Sequence, residues 1–194
     1  MKIVRTLALV VATSTVVLLP AQAFADSTIH RDATRDMVSF NLDSDEETPT
    51  PAPDRSDGDI RGVSATHAPR KVLITVRYVE WTRNPDLSAP IFRLRTNENQ
   101  LRQVQVFPGT RTRPSRAFMI NGRGQDVRCR MTTSVQIVAN KVTLGIPRKC
   151  LSRPRWVQVG TGIVAFDEPL VFLDDAYLDG RIRNQLALGP RLFR

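Results

Sequence analysis

IRGVSATHAPRKVLITVRY, residues 60–78, decides the fold class of this chain. Ile60 to His67 alternates apolar with polar or small residues, and Lys71 onward to Trp81 places Val72, Ile74, Val76 and Tyr78 on one face. A repeat of two residues is the strand period, whereas a helix repeats its apolar residues every three or four. Ala68-Pro69-Arg70 between the runs is the turn, so the stretch reads as a β-hairpin.

The same signature continues downstream. A loop carrying Asn84-Pro85-Asp86 precedes a strand near Ile91 to Arg95, and Leu101 to Phe107 alternates Gln103 and Gln105 with Val104 and Val106 before stopping at Pro108-Gly109. After the basic loop TRTRPSR (110–116) come Ala117 to Ile120, a hairpin turn at Asn121-Gly122-Arg123-Gly124, the stretch Cys129 to Cys150, and a long strand over Arg155 to Phe166. Seven or eight short antiparallel strands joined by short turns define an all-β sandwich. Near the end, Leu178, Ile182 and Leu186 recur every four residues, as a helix over Ala176 to Leu188 requires, while Gly180 opposes one; a helical or irregular tail is expected.

Upstream, the pattern breaks. Residues 42–57, LDSDEETPTPAPDRSD, are acidic, proline-rich and poor in large apolar groups, so they bury too little surface to offset their ordering entropy. The preceding Ile29, Met37, Val38 and Phe40 suit a weak edge strand. Lys2 and Arg5, an apolar run from Leu7 to Leu19 and Ala23-Phe24-Ala25 read as a secretory signal, since a run of 13 residues falls short of the roughly 20 that span a bilayer. The expected organisation is a signal peptide over 1–25 cleaved after Ala25, a flexible leader over 26–57, one sandwich domain over 58–180 and a tail over 181–194. The protein is expected outside the cell, with no membrane span.

Charge divides along the same line. Residues 26–59 hold ten acids and three arginines, net −7, whereas 61–194 hold 23 basic residues and nine acids, net +14. A body of that sign suits anionic polymers.

Cys129 and Cys150 are the only cysteines. A two-residue turn at Ala139-Asn140 pairs Val138 with Lys141, sets Val135 beside Leu144 and Ile137 beside Val142, and brings the cysteines opposite each other on the apolar face. In an oxidising compartment that makes a disulfide. The absence of a Cys-x-x-Cys pair or a His/Cys ligand set leaves no redox or zinc reading. His67, beside the turn, is expected to be a solvated histidine rather than a general base, and no nucleophile motif accompanies it. Asp54, Asp57, Asp59, Asp167, Glu168, Asp174 and Asp175 offer oxygen ligands without the spacing of a calcium loop and are expected to be turn and capping acids. Trp81 and Trp156 are expected in the core. No catalytic residue, metal or cofactor is therefore expected.

Arginines carry the visible surface chemistry: Arg111, Arg113 and Arg116, then Arg128 and Arg130, then Arg148, Lys149, Arg153 and Arg155. Gathered at one end they would bind phosphate, sulfate or carboxylate polymers, or an anionic carbohydrate of the cell wall. Nucleic acid is not expected, because few aromatic residues are available to stack bases. The alternatives are a hydrolase whose site assembles only in three dimensions, and a purely structural or partner-binding envelope protein.

RDATRDMVSF (31–40), SDGDIRGVSATH (56–67) and IPRKCLSRPRWVQVG (146–160) resemble an uncharacterised family of small secreted proteins of high-GC Gram-positive bacteria. The Asp-x-x-x-Asp entry and alternating strand also resemble, less specifically, carbohydrate- or haem-binding sandwiches of the DOMON type. That second resemblance implies a binding module, and the methionine and histidine positions of a haem ligand pair are unmatched.

Overall fold

The computed structural model describes residues 25–44, 48–81, 88–109 and 114–194. Its centre is the hairpin of residues 60–78, formed by β4 (Ile60–His67) and β5 (Lys71–Tyr78), with Ala65 opposite Ile74 and His67 opposite Val72. On either side lie β1 (Asp26–Arg31) beside β4, and β10 (Lys141–Pro147) then β9 (Thr132–Gln136) beside β5, completing a five-stranded antiparallel sheet.

The second antiparallel sheet has eight strands. Its path runs through β3 (Thr50–Pro51), β2 (Val38–Asn41), β12 (Leu170–Asp175), β11 (Trp156–Asp167), β6 (Ser88–Thr96), β7 (Leu101–Phe107) and β8 (Arg116–Asn121). The short β13 (Leu192–Phe193) pairs with the start of β11. Between the sheets, Val72, Ile74, Val76, Val142, Leu144 and Ile146 of the first meet Phe92, Leu94, Val104, Val106, Val157 and Val159 of the second, all nearly inaccessible. Each such side chain contributes about 1.5–3 kcal/mol by leaving water. The sandwich expected from the alternation is the observed architecture.

Three local expectations change. First, the stretch 26–57, expected to be a flexible leader, supplies β1, β2 and β3; β1 zips onto β4 from Asp26–His67 to Arg31–Gly62, and Met37 and Val38 are fully buried. Composition hides this because the leader borrows its ladder partners from strands that come later in the chain. Ile29 is not an anchor and stands exposed.

Second, the β9–β10 register is shifted by two residues, so Val135 faces Val142 and Thr133 faces Leu144. Ala139-Asn140 is not a two-residue turn; a four-residue connection over 137–140 takes its place, with Asn140 alone at positive φ. A tight turn of the favoured type would need positive φ at alanine as well. An even shift keeps every side chain on its expected face. The Cys129–Cys150 disulfide forms with Cα atoms 5.8 Å apart, but off the ladder, joining the segment before β9 to a 3-10 turn over Arg148–Leu151.

Third, 176–188 is irregular, with turns over 176–180 and no helix. The chain then crosses the outer face of β11 over Gly160 and Gly162, where an added Cβ would overlap the Ala187 carbonyl and the Leu186 side chain. Glycine in a strand marks such a close approach. The periodic leucines serve an extended strap instead: Leu178 is buried and Leu186 lies on Gly162. The strap ends in β13, where the Phe193 amide donates to Asp26 at 2.8 Å, so the two ends of the folded body touch.

Candidate functional site

Arg111 and Arg113 lie outside the described residues. Arg116, Arg128, Arg130, Lys149, Arg153 and Arg155 are exposed, and the disulfide draws Arg128 and Arg130 alongside Lys149. Arg148 is not a surface residue. Only 8 % exposed, it donates from Nε to His67 Nε2 at 3.0 Å and from its two terminal nitrogens to the Pro69 and Pro154 carbonyls.

His67 is likewise fully buried rather than solvated. Its Nδ1 lies 3.1 Å from the Leu192 carbonyl, which can only accept, and Nε2 accepts from Arg148, so the ring is neutral with its proton on Nδ1. Neither nitrogen is free to act as a base. Burial, reinforced by the Arg148 and Arg194 charges and opposed by the Leu192 carbonyl and Asp26, holds its pKa below the usual 6.5. The unfolded chain therefore binds more protons just below that pH, and His67 lowers stability as pH falls from 6.5 towards the folded value. Urea unfolding at pH 7.5 and pH 5 should show a larger acid loss for wild type than for His67→Gln; equal losses would refute a buried neutral histidine.

A groove of about 420 Å³ opens where the strap leaves the eight-stranded sheet. Its sheet side includes Arg93, Leu101, Gln103 and Ile120, and its strap side Arg183 and Gln185. Arg93 ties the two together, donating to the Leu186 carbonyl at 2.8 Å and to Gln185 Oε1. Asp175, also in the lining, accepts from the Tyr177 and Ala187 amides; burial raises its carboxyl, partly offset by those amides and by Arg183 and Arg93. No serine, threonine, cysteine, histidine or lysine lines the groove among the described residues. It can hold a ligand through guanidinium and amide groups, and the carboxyl groups of Asp174 and Asp175 also line it.

A second constellation is carboxylic. Asp32 and Asp36 come from the connection between β1 and β2, Asp59 from the residue before β4, Asp174 from β12 and Asp179 from the turn after it. They form two triads that share Asp36: Asp32–Asp36–Asp179 and Asp36–Asp59–Asp174. Backbone amides fix one oxygen each of three of them: Gly180 on Asp36, Arg35 on Asp59 and Ile60 on Asp174, at 2.7–2.9 Å. No lysine or arginine among the described residues forms an ion pair with any of the five. Burial, then the charges of Asp174 and Asp36, push Asp32 up to about 9, which the Ala33 amide only partly offsets. Burial, with Asp36 and Asp59, pushes Asp174 up to about 8 against the Ile60 amide.

The sequence singles out Asp59 and Asp174 but groups them with the wrong acids. Asp54 pairs with Arg35, and Asp57 and Asp167 with Arg55, and none of the three belongs to a triad. Asp32, Asp36 and Asp179 escape notice as ligands, although two acids four apart between strands are a usable signal. Of the tryptophans, Trp81 is core, whereas Trp156 is half-buried beneath the Arg191 guanidinium, 4.6 Å from its ring centre. Among the described residues no helix is long and apolar enough to cross a membrane. In comparisons with known proteins, no family model, curated protein or solved structure matches the chain.

Proposed function

We propose that this protein is a secreted, non-catalytic binding module for an anionic or carbohydrate component of the cell envelope, held in the groove between the eight-stranded sheet and the strap. The observation that carries this reading is the groove's lining: Arg93 and Arg183 with the amides of Gln103 and Gln185 over aliphatic Leu101 and Ile120. Guanidinium and amide groups recognise carboxylate and hydroxyl oxygens, and an aliphatic floor accepts the apolar face of a sugar. The net +14 of residues 61–194 adds long-range attraction for such polymers. The signal-like first 25 residues and the disulfide fit an oxidising compartment.

Pull-down on purified, protein-free cell-wall polymer tests it. Retention should weaken with salt, and Arg183→Gln with Gln103→Ala should weaken it about tenfold, since charge-assisted hydrogen bonds are worth more than neutral ones. Arg128→Gln with Arg130→Gln and Lys149→Gln should have a smaller effect. Loss confined to that second set would move the site to the disulfide rim and refute the groove.

A further inference from the structure

The aspartate constellation brings five carboxylates together with no ion-paired lysine or arginine among the described residues, and most of their remaining oxygens face inward. Asp59 is only 1 % exposed, and its Oδ1 is buried without a hydrogen-bond partner; the same holds for Asp36 Oδ1, and both oxygens of Asp32 are buried. A neighbour that is not an acid points the same way. The Tyr78 hydroxyl, on a side chain 1 % exposed, is also without a partner, and burial first, then the charge of Asp174, raises its pKa above its ordinary value. Buried polar atoms are almost always satisfied, so this many at one spot mark a place built for a ligand.

Spacing and chemistry identify the ligand class. In each triad the three oxygens lie within 4.8 Å of one another, and oxygens about 2.4 Å from a common calcium ion are separated by no more than about that distance. All ligands are hard carboxylates, with no histidine or cysteine in either triad, which suits calcium and disfavours zinc. Magnesium would require a tighter octahedron and keeps several waters, a poor match to five converging side chains.

We propose that Asp32, Asp36, Asp59, Asp174 and Asp179 form a calcium site, with Asp36 bridging its two halves. The ion fastens the β1–β2 connection, which crosses from one sheet to the other, to the start of β4 and the end of β12. Calcium here is structural, and Asp174, which also lines the groove, is the one ligand the two sites share.

The test uses the purified protein stripped with a chelator. Adding calcium should raise the melting temperature by about 5 °C or more, and terbium should bind with luminescence sensitised by Tyr78 and its neighbour Trp81, whose rings are 4.2 Å apart. Both signals should persist in Asp54→Asn, an exposed acid outside the triads, and be lost in Asp36→Asn. Because that change also relieves repulsion, Asp36→Asn should melt at or above wild type in chelator, which shows that it folds. An unchanged wild-type melting temperature up to millimolar calcium, an equal calcium shift in Asp36→Asn, or an equal shift with magnesium would each overturn the assignment.

Discussion

Arg148→Met should lower the unfolding free energy by about 4 kcal/mol, because it strips a buried hydrogen-bond hub of all its donors at once. Methionine preserves most of the apolar stem, so the change isolates the guanidinium. Two buried acceptors, His67 Nε2 and the Pro154 carbonyl, then lose their donors, as does the more exposed Pro69 carbonyl. Each unsatisfied buried group costs roughly 1–3 kcal/mol. The loss spreads through His67, whose other nitrogen binds Leu192, so amides of β13 should exchange with solvent faster in the variant. Lys149→Met, at the exposed next position, should shift the urea midpoint little. A loss below about 1 kcal/mol in Arg148→Met would show that water replaces the guanidinium without penalty.

Opening the disulfide comes second. The bond closes a loop of 21 residues, and Cys129→Ser with Cys150→Ser should cost about 3 kcal/mol through the freedom returned to the unfolded chain. The effect should also be local. β9 is an edge strand whose side chains alternate between exposed and half-buried, with no fully buried residue, so it is held from one side by β10 and at its start by the disulfide. Hydrogen exchange over 125–136 should therefore accelerate more than over β4 and β5. Uniform acceleration would mean that the bond stabilises the whole fold and not this edge.

The parts legible in the sequence are those set by neighbours in the chain. β4 and β7 fall on the boundaries that alternation predicts, and the inward face of β5 is the expected one. The cysteine pairing is also readable, because both residues sit on the apolar side whichever even register the hairpin takes. The register itself is not, since it depends on whether Ala139 tolerates positive φ. Pairings between distant segments leave little trace: β1 finds β4 about 35 residues on, and β2 finds β12. The aspartates fare likewise, because only the crossing from one sheet to the other brings Asp32 and Asp36 to Asp174. Gly160 and Gly162 look like weak points in a strand until the strap explains them.

The contact between Asp26 and Phe193 gives the sandwich the topology of a nearly closed ring. Asp26 and Phe193 lie side by side at a single pole of the body. The chain can therefore be cut at the exposed Asn121–Gly124 turn and rejoined through a short linker between its old ends, leaving every strand in its place. By the same geometry the whole domain can be spliced into a loop of a host protein, with both joints at one spot and the groove and aspartates undisturbed.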